Sequence, residues 1–229
     1  MPRTDPFIRQ ARHSGAMRER GILFSAPMVR ALLNGTKTQT RRAIKGLTAG
    51  ALDPGLSPAL GSGPDSIACP YGQPGDRLWV RETFFAYGRW ETRHDEKKGR
   101  DEWRFVDMTL ACGQHYQYAA DPARMTLASG RGDGTPAWHR RPALFMPRLA
   151  SRILLALTSV RVERLQDISE ADAIAEGEQP LPGAPGGASA APVEGYKAVW
   201  ETINGAGSWD ANPWVWVIEF ERIPLPESP

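Results

Sequence analysis

Apolar and polar residues change rhythm several times along the chain, and each rhythm predicts an element. Gly21 to Ser25 (GILFS) reads as a short buried strand. Ser25 then stands as an N-cap with Pro27 in the first turn, and Met28, Val29, Leu32 and Leu33 fall on one helical stripe that Gly35 closes, which predicts a helix over 26–34. The turn Pro74-Gly75-Asp76 launches a strand over 77–87 that carries Leu78, Val80, Phe84 and Phe85. Phe105 to Leu110 and His115 to Ala119 read as further short strands. Ile153, Leu155 and Leu157 alternate, and Val160 and Val162 continue one position out of phase, so a long strand with a bulge near Thr158 is expected. Ser169 and Asp172 resemble a capping box opening a helix over 170–176 that stops at Gly177, and Tyr196, Val199 and Trp200 share one side of a helix over 193–203. The closing strand, 214–221, sets Trp214, Trp216, Ile218 and Phe220 on one face and Val215, Val217, Glu219 and Glu221 on the other.

Between these elements lie stretches with neither period. Residues 46–68 and 180–192 are Gly-, Pro- and Ala-rich insertions, expected to be mobile, while 88–104 is dense in charge and reads as a hairpin excursion. The Gly-rich stretch Ser129 to Pro136 reads as loop. The organisation expected is a basic arm over 1–20 followed by one domain over 21–223, interrupted at about 46–68, 88–104, 121–142 and 180–192. Strands outnumber helices and no βαβ alternation appears, so the fold class expected is α+β, mainly β: a small mixed β-barrel with a few packed helices.

Composition narrows the functional classes. With 41% hydrophobic residues and 8 Trp among 229 residues, the chain holds enough apolar material for a buried core, and wholesale disorder is excluded. The longest apolar runs, Ile153 to Leu157 and Trp214 to Ile218, fall far short of the roughly 20 residues of a membrane span. The basic N-terminus lacks the apolar stretch of a secretory signal, so a cytoplasmic protein without membrane contact is expected. Cys69 and Cys112 are too few for a disulfide scaffold, and Cys112 with His115 lacks the second pair of a structural zinc site. Neither a Walker motif nor GxGxxG is present; no metal and no cofactor is expected. Charge is uneven: residues 1–150 carry 23 Lys/Arg against 14 Asp/Glu, residues 151–229 carry 5 against 12, and residues 1–50 alone carry 10 against 2. That footprint suits a phosphate backbone, although 23 of the 28 basic residues are Arg, a bias that base composition also produces.

The candidate chemistry concentrates in Gly35-Thr-Lys-Thr-Gln-Thr-Arg-Arg42. Lys37, Thr40 and Arg42 converge if the chain turns here, and a desolvated Lys beside a Thr hydroxyl can act as its base, giving a nucleophile without His. On a straight strand the same residues are a solvated edge. Glu82, among Trp79, Phe84 and Phe85, is a carboxylate whose pKa desolvation would raise, and Arg42 and Arg81 are candidates for bidentate contact with a phosphate or a pyrimidine carbonyl.

The segment GTKTQTRR resembles the G-x-K-x-x-[E/T]-x-R signature of the ASCH domain, a PUA-like β-barrel family associated with RNA binding and nucleoside chemistry, with Gly35, Lys37, Thr40 and Arg42 in its positions. Three further blocks follow in the family's order: Pro74 to Val80, Val160 to Gly177 and Trp216 to Phe220, together about half the chain. The longer form, with Gly75 to Thr83, Phe145 to Arg148 and Asp210 to Trp216, is similar to phage and prophage proteins labelled morphogenetic. Within the family, bacterial N4-acetylcytidine amidohydrolases use a Lys, a Thr and a Glu. The resemblance therefore implies Lys37, Thr40 and Glu176 as catalytic groups, and Gly35, Arg42, Arg81 and Glu82 are the candidate binding residues beside them. It implies hydrolysis of an acyl group from a modified cytosine without metal. The alternatives are a non-catalytic reader of RNA, single-stranded or modified nucleic acid, with Lys37 and Arg42 as phosphate contacts, and a phage accessory factor.

Overall fold

The computed structural model describes residues 17–44, 68–122, 125–131, 133–178 and 191–226. Most of the basic arm and of the insertions at 46–68 and 180–192 lies outside the described residues. Nine strands and three α-helices are found among the described residues, in the order β1 (Glu19–Leu23), α1 (Ala26–Leu33), β2 (Gln39–Ala43), β3 (Arg77–Arg81), β4 (Phe84–Asp95), β5 (Arg100–Asp107), β6 (Gln117–Tyr118), β7 (Ala137–Arg141), β8 (Leu154–Arg164), α2 (Glu170–Ala175), α3 (Pro192–Asn204) and β9 (Trp214–Ile223). The fold is mixed α+β, built mostly of sheet.

Five strands form one sheet in the order β1-β3-β8-β9-β2. β8 and β9 are its long antiparallel centre, and their register slips between Leu157 and Ser159, the bulge that the change of apolar phase predicts. β9 is buried on both faces because both are covered. Trp214, Trp216, Ile218 and Phe220 join Val29 and Leu32 of α1 in one cluster, and Val215 and Val217 join Ala173 of α2 and Tyr196 and Trp200 of α3 in another. Each such side chain removed from water is worth roughly 1.5–3 kcal/mol, so β9 is the seam of the molecule.

The expected barrel is not closed. β1 and β2 are the outer strands of the sheet, and among the described residues no backbone ladder joins them. α1 carries the chain from one edge to the other, and the Arg42 guanidinium bridges the gap, donating to the Leu23 carbonyl at 2.7 Å while lying over the Phe24 ring. The strand expected over 77–87 is also two strands. The chain leaves the first sheet after Arg81, where Glu82 turns to meet Arg152, and re-enters as β4 of a second sheet in which β4 pairs with β5, β6 and β7. The charge-dense excursion is the β4–β5 hairpin. No helix among the described residues is long and apolar enough to cross a membrane.

Candidate functional site

The turn after α1 and the end of α2 are built against each other, and this brings the signature segment to Glu176. Gly35, at φ +76°, ends α1. The chain then turns so that Thr38 N–H donates to the Ala175 carbonyl at 2.8 Å. α2 starts from a complete capping box, Ser169 accepting from the Asp172 backbone while Asp172 accepts from that of Ser169. It stops at Gly177, whose φ of +99° suits glycine and where a Cβ would lie 3.0 Å from Ala31 and 3.4 Å from Lys37. Glu176 is thereby fixed beside Lys37.

The resulting cluster is polar and dry. Lys37 Nζ donates to Glu176 Oε2 at 2.7 Å and to the Glu176 carbonyl at 2.8 Å, and neither side chain is more than 3% exposed. Burial lowers the Lys37 pKa from its ordinary value, and the Glu176 carboxylate opposes that shift. Arg41, fully buried as a side chain, meets Glu163 at 3.2 Å, Asp172 at 3.3 Å and Glu176 Oε1 at 3.7 Å. The last separation is too long for a hydrogen bond. Arg41 Nη1 and Glu176 Oε1 are accordingly buried without a hydrogen-bond partner among the described residues, as are Arg41 Nε and Trp200 Nε1.

Arg41, Glu176 and Trp200 line the smaller of two adjoining cavities beside α1 and α3, and Glu176 lines the larger as well. The smaller, about 60 Å³, is lined by Thr40, Arg41, Arg42, Glu176, Tyr196 and Trp200 among others. The larger, about 350 Å³, has apolar walls from Pro27, Met28, Ala31, Val199 and Ile203, with Glu176 and Glu178 at its polar side. That size is at the lower end for small-molecule sites, roughly 300–1,000 Å³. Burial raises the carboxyl pKa of Glu178, with Lys37 opposing, and raises the Tyr196 phenol well above its usual range, with Glu176 adding to the effect.

Of the residues singled out in the sequence, Thr40, Arg42 and Glu176 line the cavities. Lys37 stands behind Glu176, with its donors directed at that residue, and no hydrogen bond joins it to Thr40 among the described residues. Gly35 shapes the turn. Arg81 lies over the Trp79 ring and donates to the Leu144 carbonyl, and Glu82 is held by Arg152 at 2.9 Å and 3.2 Å; neither lines these cavities. Burial raises the Glu82 pKa against the pull of Arg152, as its aromatic surroundings suggest. Sequence reasoning misses Arg41, Glu178 and Tyr196. Arg41 in particular reads as strand surface, because Glu163 and Asp172 are distant in sequence: the β2–β9 and β8–β9 pairings bring Glu163 to it, and α2 brings Asp172.

No protein-family model matches the chain, and no curated protein matches it. Among solved structures, the chain is similar to a DUF984 protein of Enterococcus faecalis at a TM-score of 0.38 and 10% identity, over 94% of this chain and 86% of that one.

Proposed function

We propose that the chain is an ASCH-type, PUA-like protein whose cleft between α1 and α3 takes a modified cytosine nucleoside and hydrolyses its N4-acyl amide. The observation that carries this reading is that Thr40 and Glu176 line one small cavity while Lys37 is held on Glu176 at 2.7 Å. A hydroxyl, a carboxylate and a lysine with lowered pKa are the groups that amide hydrolysis without metal requires. Thr40 Oγ1 would add to the acyl carbonyl carbon as its proton passes to the Lys37 amine. The C–N bond would then break, the nitrogen taking a proton from Lys37 or Glu176 and leaving as the 4-amino group. Water would cleave the Thr40 ester, releasing the carboxylic acid and restoring the hydroxyl. Arg41 and Tyr196 border the same space and offer the base a donor and a ring.

The test is release of acetate from N4-acetylcytidine by purified protein without added metal. Activity is expected in the wild type and in Thr40→Ser at a reduced rate, with loss in Thr40→Ala and Glu176→Gln. Lys37→Arg is expected to be inactive, since a guanidinium stays protonated. An active Thr40→Ala variant would remove the nucleophile. One observation favours a second reading, a non-catalytic binder of a modified base: both Lys37 bonds run to Glu176 and none to Thr40. Saturable binding of N4-acetylcytidine with no acetate released would establish that reading instead.

A further inference from the structure

The second sheet carries a surface of a different kind. On one face of the β4–β5 hairpin, Trp90 packs edge-on against Phe105 at 5.4 Å, and the register places Trp103 two residues farther out, where it is 48% exposed. The Arg141 guanidinium, from β7, sits 4.8 Å from the Trp90 ring, 4.5 Å from Phe105 and 5.3 Å from the exposed Phe145. Arg131 lies over Trp90 and Trp103 at 5.8 and 5.2 Å. Among the described residues no hydrogen bond or ion pair takes up either guanidinium, and their contacts are with the ring faces. The two acids of this face are engaged. Asp107 accepts from Thr109 at 2.6 Å and Tyr116 at 2.9 Å, and Asp101 pairs with His94 at 2.8 Å. Half-burial among the rings lowers the Arg141 pKa, and only the Asp107 charge opposes it.

We infer that this face binds single-stranded nucleic acid, with Trp103 and Phe145 stacking on bases and Arg131 and Arg141 contacting phosphates. Exposed rings alternating with unpaired guanidinium groups match the alternation of base and phosphate along a single strand, and stacking tolerates any base. Arg supplies what Lys would not: a flat face for the rings and, at its edge, the donor fork that phosphate oxygens accept. An acidic peptide would satisfy the charges but leave the rings without a partner. The surface is on a different sheet from Thr40 and is independent of the proposed hydrolysis.

The experiment is fluorescence anisotropy of the full chain with labelled oligo(dT) of about 12 nucleotides, at 50 and 200 mM NaCl. Binding that weakens with salt is expected. Trp103→Ala is expected to weaken it about ten-fold, within the range for loss of one stacked base. The double variant Arg131→Met/Arg141→Met is expected to lower the salt slope by about two phosphate contacts. Trp103 is exposed, so its substitution reads binding even if the double variant fails to fold. Acetate release from N4-acetylcytidine is unmoved by either change. The inference fails if oligo(dT) does not bind, if Trp103→Ala binds as the wild type does, or if poly-glutamate displaces the oligonucleotide at equal charge concentration.

Discussion

Two arginines of this protein, Arg41 buried and Arg141 half-buried, have their charges compensated in opposite ways. Arg41 is enclosed by three carboxylates, Glu163, Asp172 and Glu176, contributed by β8, by α2 and by the residue that ends α2. Arg141 has aromatic faces for neighbours and no carboxylate at bonding distance among the described residues. Through Nη2 the carboxylates of Glu163 and Asp172 tie β8 and α2 to β2 at one point, so the first arrangement is structural before it is anything else. Rings attract the charge through their quadrupoles and leave the N–H groups available, so the second keeps capacity for a ligand. The same residue type thus belongs to the frame in one place and to a surface in the other, and the identity of the compensating groups decides which.

The largest effect expected is at Arg41. Arg41→Met removes the buried cation shared by Glu163, Asp172 and Glu176; Arg161 still pairs with the first two, which are partly exposed, and Lys37 with the third. The cost should therefore be about 3 kcal/mol, the lower end of the about 3–5 kcal/mol for breaking a buried pair. Urea unfolding should show that loss at neutral pH. A loss below about 1 kcal/mol would mean that the carboxylates relax to solvent and that Arg41 is no anchor.

Next comes Gly88, which gives the aromatic face its shape. A Cβ there would meet the Val106 carbonyl oxygen at 2.1 Å and the Phe105 ring at 2.8 Å. The first contact is to backbone, so β5 must shift. Gly88→Ala should cost about 1–3 kcal/mol and, by displacing Phe105 and Trp90, weaken oligonucleotide binding while acetate release is retained. Unchanged stability would show that β5 shifts freely against β4.

How much of this could be read in the sequence follows from the range of the interactions. α1, α2, α3 and β9 are set by local periodicity and by caps, and the bulge in β8 by a phase change within one strand, so the sequence predicts them to within a residue or two. The split of 77–87 into β3 and β4 is caused by Glu82 turning to Arg152, a partner 70 residues away, and the apolar pattern runs straight through it. The open sheet likewise depends on where the two edges end, which no local period encodes. Glu176 was legible because a motif and a capped helix both point to it. Arg41 was not, since its position in the signature is unspecified and its three partners lie more than 120 residues on. Arg141 was hidden for a related reason: its rings come from β4, β5 and the turn after β7, so only the assembled hairpin shows them together.

A smaller effect is expected at the cap that holds one of the Arg41 partners. Asp172 Oδ2 accepts from Ser169 Oγ at 2.8 Å and from its N–H at 3.2 Å, besides pairing with Arg41. Burial tends to raise the Asp172 pKa, but the Ser169 bonds and the Arg41 charge outweigh it and hold the group below its ordinary 3.8. A depressed carboxyl pKa stabilises the folded state above the unfolded value, and the benefit disappears as pH falls through the folded one. Ser169→Ala should therefore cost about 1 kcal/mol at pH 7, with the difference from wild type fading below pH 3.8. A difference independent of pH would place the whole effect in the lost helix cap rather than in the charge cluster.

The smallest effect on stability is expected at Arg141, and it completes the contrast with Arg41. Arg141→Met removes cation–π contacts worth about 0.5–1 kcal/mol at partly exposed sites. It replaces them with thioether–aromatic contacts of about 0.3–1.5 kcal/mol, against the same Trp90, Phe105 and Phe145 rings. It also relieves the half-buried charge. These changes oppose one another, so the unfolding free energy should move by less than about 0.5 kcal/mol, as for a surface substitution, while oligonucleotide affinity falls. A substitution neutral for folding and costly for binding is what a guanidinium kept open for a ligand should give. If Arg141→Met instead destabilises as much as Arg41→Met, the rings are compensating a structural charge, and the two arginines are alike after all.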